Sequence, residues 1–197
     1  MIILFGLAGS GKGTQSKALS EIFGWRTMSV GQAIRDTGKY DGIINYGKMI
    51  PDEDVIKLMQ EKIEMNEAEG YDMILDGFPR NAVQTEWLLK EMPGKIQGAI
   101  ILEVPKEELY KRLELRGRED DKEKSSIDQR WELFEQNIYS MLPLLEAKKI
   151  PIIRVDGVGT EGEVTDRLVD VFKELNPDAT EQNDDVNGEE IEKSYGE

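Results

Sequence analysis

The sequence predicts a doubly wound α/β domain on a five-stranded parallel sheet, and three observations predict it. Short runs of consecutive apolar residues recur along the chain, as strands buried on both faces require. Longer segments with helical spacing separate them, which is the alternation of a parallel sheet covered on both sides. The first apolar run passes through a glycine-rich turn directly into a helical pattern.

The elements follow in order. Ile-Ile-Leu-Phe at 2–5 is the first strand, and residues 12–23 form a helix with Leu19, Ile22 and Phe23 on one side. A strand at 27–30 precedes a helix over 52–69, where Val55, Leu58, Met59 and Ile63 repeat at helical spacing. Met-Ile-Leu at 73–75 is a strand, 82–91 a helix, 99–104 a strand, and 106–116 a helix. Helical spacing then runs over 127–147, a last strand over 150–155, and a last helix over 161–175. No internal repeat is present. Ligands of such sheets sit beyond the carboxyl ends of the strands.

Composition narrows the chemistry. The 197 residues carry 25 basic and 40 acidic side chains, net −15, so the surface repels nucleic acid and anionic lipid. With no Cys and no His, disulfides, thiol chemistry, imidazole bases and zinc sites built on those ligands are excluded. The longest apolar stretch, at 1–5, has no basic flank and no cleavage pattern, and a soluble cytoplasmic protein is expected. Eight acidic residues against the single Lys193 fall in 178–197, a segment too polar to offset its chain entropy, so an unfolded acidic tail is expected after a domain at 1–177.

At the end of the first strand, Gly6-Leu7-Ala8-Gly9-Ser10-Gly11-Lys12-Gly13-Thr14 leads into a helix. Glycines let amides turn inward against phosphate oxygens, and the helix N-terminus adds partial positive charge. Lys12 is placed for the outer phosphates and the Thr14 hydroxyl for a nucleotide's Mg²⁺. Gly13 departs from the strict P-loop pattern, which has Ser or Thr directly after the Lys. Asp76 closes the third strand, where a carboxylate holds Mg²⁺ or its waters in P-loop proteins.

These residues, together with Asp76-Gly77-Phe78-Pro79-Arg80, resemble the nucleoside monophosphate kinase family, most of all its adenylate-using members; the resemblance covers residues 1–177. It implies a P-loop NTP hydrolase-like fold with a small monophosphate-binding insert at 28–57 and a minimal lid at 116–127. It implies reversible, Mg²⁺-dependent phosphoryl transfer from ATP to AMP by a monomer, with no zinc, nucleic acid or membrane. By this resemblance Ser29, Arg35, Gly77, Phe78, Pro79 and Arg80 serve the acceptor phosphate. Lys48, Met49 and Ile50 line the adenine pocket, and Gln84 reads the adenine edge. Gly9 to Thr14, Arg112, Arg116 and Gly159 hold ATP, while Arg118 and Arg130 meet the phosphates in transit. Lys12, Asp76, Arg80, Arg116, Arg118 and Arg130 are thus the catalytic set. Six of the nine arginines fall on these positions in an otherwise acidic chain. Phosphoryl transfer demands such charge neutralisation and positioning rather than covalent help.

The pattern also has departures. Only Gly117 separates Arg116 from Arg118, so the lid is shorter than the family's usual short lid and less able to exclude water. The insert between Arg35 and Gly47 is shortened too, and Gln32 replaces an expected Asp near the Mg²⁺ waters. Asn81 is a residue that uridylate–cytidylate relatives often use, which keeps a pyrimidine or broad-range kinase as the alternative reading. A nucleotide-binding protein without turnover is the rival outside enzymes. Trp25, Trp87 and Trp131 read as packing residues away from the motifs.

Overall fold

The computed structural model describes residues 1–39, 50–117, 121 and 124–179. Five strands, β1 (Ile2–Phe5), β2 (Arg26–Ser29), β3 (Met73–Asp76), β4 (Gly98–Glu103) and β5 (Ile152–Asp156), form one sheet in the order β2-β3-β1-β4-β5. Every pairing is parallel. Seven helices are present among the described residues: α1 (Lys12–Phe23), α2 (Val30–Asp36), α3 (Asp52–Ala68), α4 (Ala82–Glu91), α5 (Lys106–Arg116), α6 (Lys124–Ala147) and α7 (Glu161–Leu175).

The strands alternate their side chains between two cores, as the two-residue period requires. Ile3, Phe5, Met28, Leu75 and Ile101 point to one face, against Met59 and Ile63 of α3, Leu88 of α4 and Met141 and Leu145 of α6. Ile2, Leu4, Ile74, Ile100 and Val155 point to the other, against Leu19 of α1 and Leu168 and Phe172 of α7. Phe172 stacks on Phe23 at 4.5 Å between ring centroids and takes the edge of Trp25 at 4.6 Å. A third, smaller cluster joins Leu109 and Leu113 of α5 to Ile127 and Trp131 of α6.

Two boundaries differ from the sequence reading in an informative way. Val30, read as the end of a strand, begins α2 instead; its β-branched side chain is buried in the first core either way, so burial does not distinguish the two conformations. The seven-residue α2 carries Gly31 and has too few turns to show a period. α6 starts at Lys124, before the apolar pattern begins, and continues through Pro143. Ala179 still packs partly buried against the second core, just inside the segment read as tail; residues 180–197 lie outside the described residues.

The sheet pairs Leu4 with Asp76 and Asp76 with Ser29. The segments that follow β1, β3 and β2, two loops and the start of α2, therefore open side by side at the carboxyl edge of the sheet.

Candidate active site

The glycine-rich loop leaves β1 at Gly6 and enters α1 at Lys12, turning on a bond from the Ser10 amide to the Leu7 carbonyl at 3.1 Å. Gly9 has φ +89, and a Cβ there would lie 2.9 Å from Leu113 Cγ and 3.1 Å from the Leu109 carbonyl. No other residue fits both that conformation and that approach to α5. Trp131 supports the loop from the other side, its indole N–H donating to the Ala8 carbonyl at 3.3 Å. Its packing role stands, but not its expected distance from the motifs: it touches the phosphate loop itself. Periodicity could place Trp131 on a buried face without revealing that this face meets the loop.

Lys12 folds over this loop, donating to the carbonyls of Gly6 and Leu7 at 2.5 and 2.9 Å. Burial pushes its ammonium down to about 8, opposed by the Asp76 carboxylate and assisted by Arg80 and Arg116. Asp76 is buried at the end of β3, with Oδ2 3.8 Å from where a Gly13 Cβ would stand. Thr14 lies exposed in the first turn of α1. One hydroxyl and one carboxylate beside a phosphate loop suit a Mg²⁺ that arrives with its nucleotide and keeps most of its own oxygen ligands. Among the described residues, no cluster of three or more acidic side chains forms a self-sufficient metal cage.

On the acceptor side, Ser29 ends β2 beside Asp76, and α2 delivers Arg35. A Cβ on Gly31 would lie 3.5 Å from one Arg35 guanidinium nitrogen and 3.6 Å from one of Arg80, so both forks converge over the same glycine. Arg80 also donates to the Gly77 carbonyl at 3.0 Å. Burial works against its charge, while Asp76 favours it. Gln32 is tied to the same helix, accepting from Arg35 at 2.9 Å and donating to Asp36 at 2.6 Å. Phe78 is buried in the first core with its ring against Trp87, and Ile50 packs partly buried against that core.

Gln84 is buried, and its amide is held at both ends. Its Oε1 accepts from the Arg80 backbone N–H at 2.8 Å, and its Nε2 donates to Asp52 Oδ1 at 2.7 Å. Asn81 caps α4 by accepting from the Gln84 backbone N–H and donates its own Nδ2 to the same Asp52 oxygen. Asn81 thus has a local structural task.

The arginines of α5 and α6 meet at one buried acid, Asp121. Arg116 donates to both Asp121 oxygens at 2.7 Å, and Arg130 donates to Oδ1 at 2.9 Å. The Asp121 side chain is 1% exposed. Arg112 pairs with Glu108 at 3.0 Å, the plain solvated-helix arrangement, yet it also donates to the Gly157 carbonyl at 3.1 Å and so joins α5 to the loop after β5. A Cβ on Gly157 would sit 2.6 Å from Val104, which explains that glycine. Gly159 lies in the same loop, held by Arg167 through the carbonyls of Asp156 and Val158. Asp52, Asp121 and Arg167 are the participants missed by sequence reasoning; only their charge in a motif-flanking position could have signalled them. Lys48, Met49 and Arg118 lie outside the described residues.

The arrangement gathers Lys12, Arg35, Arg80, Arg116 and Arg130 around two buried carboxylates at the carboxyl edge of a parallel sheet. Such a cluster binds polyphosphate.

Comparison with known proteins agrees. Residues 4–150 match the family described as adenylate kinase. The chain is 34% identical over 182 residues to the adenylate kinase of Thermus thermophilus, covering 85% of this chain and 94% of the relative. It is 32% identical to that of a Synechococcus species, covering 85% and 95%, and 31% identical to that of Archaeoglobus fulgidus, covering 79% and 90%.

Proposed function

The chain belongs to the adenylate kinase family, and from that premise we propose how its own residues carry the reversible transfer of a phosphoryl group from ATP to AMP, giving two ADP. The carrying observation is the convergence of Arg35 and Arg80 over Gly31, next to Asp76 and the Lys12 loop.

The loop amides from Gly9 to Thr14 and the Lys12 ammonium hold the donor phosphates, with Arg112 and the Gly157–Gly159 loop bordering the nucleotide. Ser29, Arg35 and Arg80 fix the acceptor phosphate, and Gly77 to Pro79 give Arg80 its position. The attacking oxygen belongs to an ionised phosphate, so alignment is required and no general base is assigned. Arg116, Arg130 and Arg118 neutralise the phosphoryl group in transit, and the first two are already oriented by Asp121. Thr14 and Asp76 would hold the Mg²⁺ that accompanies ATP, which would supply charge withdrawal from the phosphate oxygens. Gln84, with Lys48, Met49 and Ile50, selects adenine. The insert at 28–57, the short lid at 116–127 and the acidic tail from 178 remain part of this reading.

Among the described residues no helix is long and apolar enough to cross a membrane. Among the described residues, large exposed apolar side chains such as Leu115 and Tyr139 are far apart in sequence, which supports a monomer; a cytoplasmic location is part of the same proposal.

Purified protein with Mg²⁺ and ATP, given AMP, CMP, UMP, GMP or no acceptor, is the test, with products separated by chromatography. Two ADP per AMP consumed, and little product elsewhere, is the expected result. Efficient turnover of CMP or UMP would move the assignment to the pyrimidine kinases, and ATP binding without product would retire the kinase reading.

A further inference from the structure

We propose that Asp52 is a positioning residue that fixes the hydrogen-bonding sense of the Gln84 amide and thereby sets which purine the acceptor pocket takes. The inference rests on the reading that Gln84 meets the base.

A glutamine amide can turn over end for end, exchanging its oxygen and its NH₂ with almost no change in shape. Here its surroundings allow one sense only. Asp52 Oδ1, at 2.7 Å from Gln84 Nε2, is a carboxylate oxygen that can accept but not donate. The Arg80 backbone nitrogen, at 2.8 Å from Gln84 Oε1, can donate but not accept. Turning the amide over would set oxygen against carboxylate and NH₂ against N–H, replacing two bonds by two repulsions in a buried place. Asp52 is in turn held from a second side by Asn81 Nδ2 at 2.8 Å, and its backbone is fixed as the first residue of α3.

With those bonds made, Gln84 retains one N–H and one oxygen lone pair in a defined order. Adenine presents an acceptor at N1 and a donor at its 6-amino group, whereas hypoxanthine and guanine present a donor at N1 and an acceptor at O6. The two edges are reversed. Because the acceptor phosphate is clamped by Arg35 and Arg80, the base cannot turn over to suit the amide. The amide must therefore be held in the adenine sense, and the Arg80 amide and Asp52 do this together.

The position also joins two elements. Asp52 opens α3, within the insert read at 28–57, while Gln84 and Asn81 open α4. The base-reading group is thus braced from outside its own helix.

The test compares kcat and KM for AMP and IMP, whose bases differ in the edge concerned, with Mg²⁺ and ATP saturating and the full chain throughout. Asp52→Ala should narrow the AMP-to-IMP preference about tenfold, mainly through KM. Asp52→Asn, which keeps an accepting oxygen in place, should hold that preference within about threefold of the wild type. Asp52→Leu fills the same space without an acceptor and supplies the same readout if the alanine variant does not fold. A purely structural role would lower Tm and leave the preference unmoved, and that result in a folded Asp52→Ala or Asp52→Leu protein overturns the proposal. Gln84→Leu separates the two layers of the argument. If it changes the preference while the Asp52 variants do not, only the positioning role falls; if it changes nothing, the base-reading role of Gln84 falls as well.

Discussion

The two halves of the site are held in different ways. The donor loop is fixed by backbone turns, by Gly9 lying against Leu113, and by the Trp131 indole on the Ala8 carbonyl. The acceptor side is fixed by bonds between polar side chains: Gln32 with Arg35 and Asp36, and Asp52 with Asn81 and Gln84. A triphosphate offers every protein the same oxygens, so a rigid cradle of amides serves it well. A particular base must be told from its relatives, and only side chains with an ordered donor and acceptor pattern can do that. The donor half is therefore a matter of packing and the acceptor half a matter of polarity.

The strongest way to break this comparison is at Lys12, the side chain proposed to meet the donor phosphates. Lys12→Ala should lower kcat about a thousandfold in a steady-state assay, since neither amides nor helix replace a full positive charge on the phosphates. On the acceptor side, Arg80→Ala should reduce kcat/KM for AMP about a hundredfold while ATP binding by calorimetry stays nearly unchanged. Equal losses for both nucleotides would mean that the halves are not separate.

The comparison is sharpened by pH. The Lys12 ammonium, pushed down to about 8 by burial, is charged below that pH and loses its proton above it. In the free enzyme kcat/KM for ATP should then fall about tenfold per pH unit above 8, whereas kcat should hold to higher pH because bound phosphates favour the ammonium. For stability the sign is the opposite. The folded-state value lies below the 10.5 of an unfolded chain, so between about 8 and 10.5 the unfolded state binds more protons and this group's contribution rises with pH. Thermal melts of Lys12→Met across that window should lack this rise. The smallest effect is expected at Trp131→Phe, which keeps an aromatic ring but loses the bond to Ala8 and part of the buried indole: about 1 kcal/mol of loop support from the bond, read as a few-fold rise in KM for ATP with AMP parameters unchanged.

The donor half was the more legible in sequence. Glycines, Lys12 and an apolar strand form a local pattern, and local patterns survive reading along one dimension. Strand and helix order was equally open, because a doubly covered sheet writes apolar runs directly into the chain. The acceptor half was legible only through its resemblance to a family, and even then incompletely. Asp52 and Gln84 are 32 positions apart, and nothing in either neighbourhood announces that they share a hydrogen bond. Asp121 was missed because its burial between Arg116 and Arg130 depends on how α5 and α6 lie against each other. Helix α2 was hidden for a simpler reason: seven residues with a glycine carry no measurable period.

The two cores that divide the sheet have a practical consequence for anyone rebuilding this protein. One layer, α1 with α7, closes around Phe23 and Phe172, while the other, α3 with α4 and α6, carries the residues proposed to read the acceptor base, Asp52 and Gln84 among them. Stabilising substitutions in the first layer lie across the sheet from the acceptor side chains, and at such distances free-energy changes add nearly independently. Thermal tolerance and base preference can accordingly be engineered as separate traits, each with its own face of the same five strands.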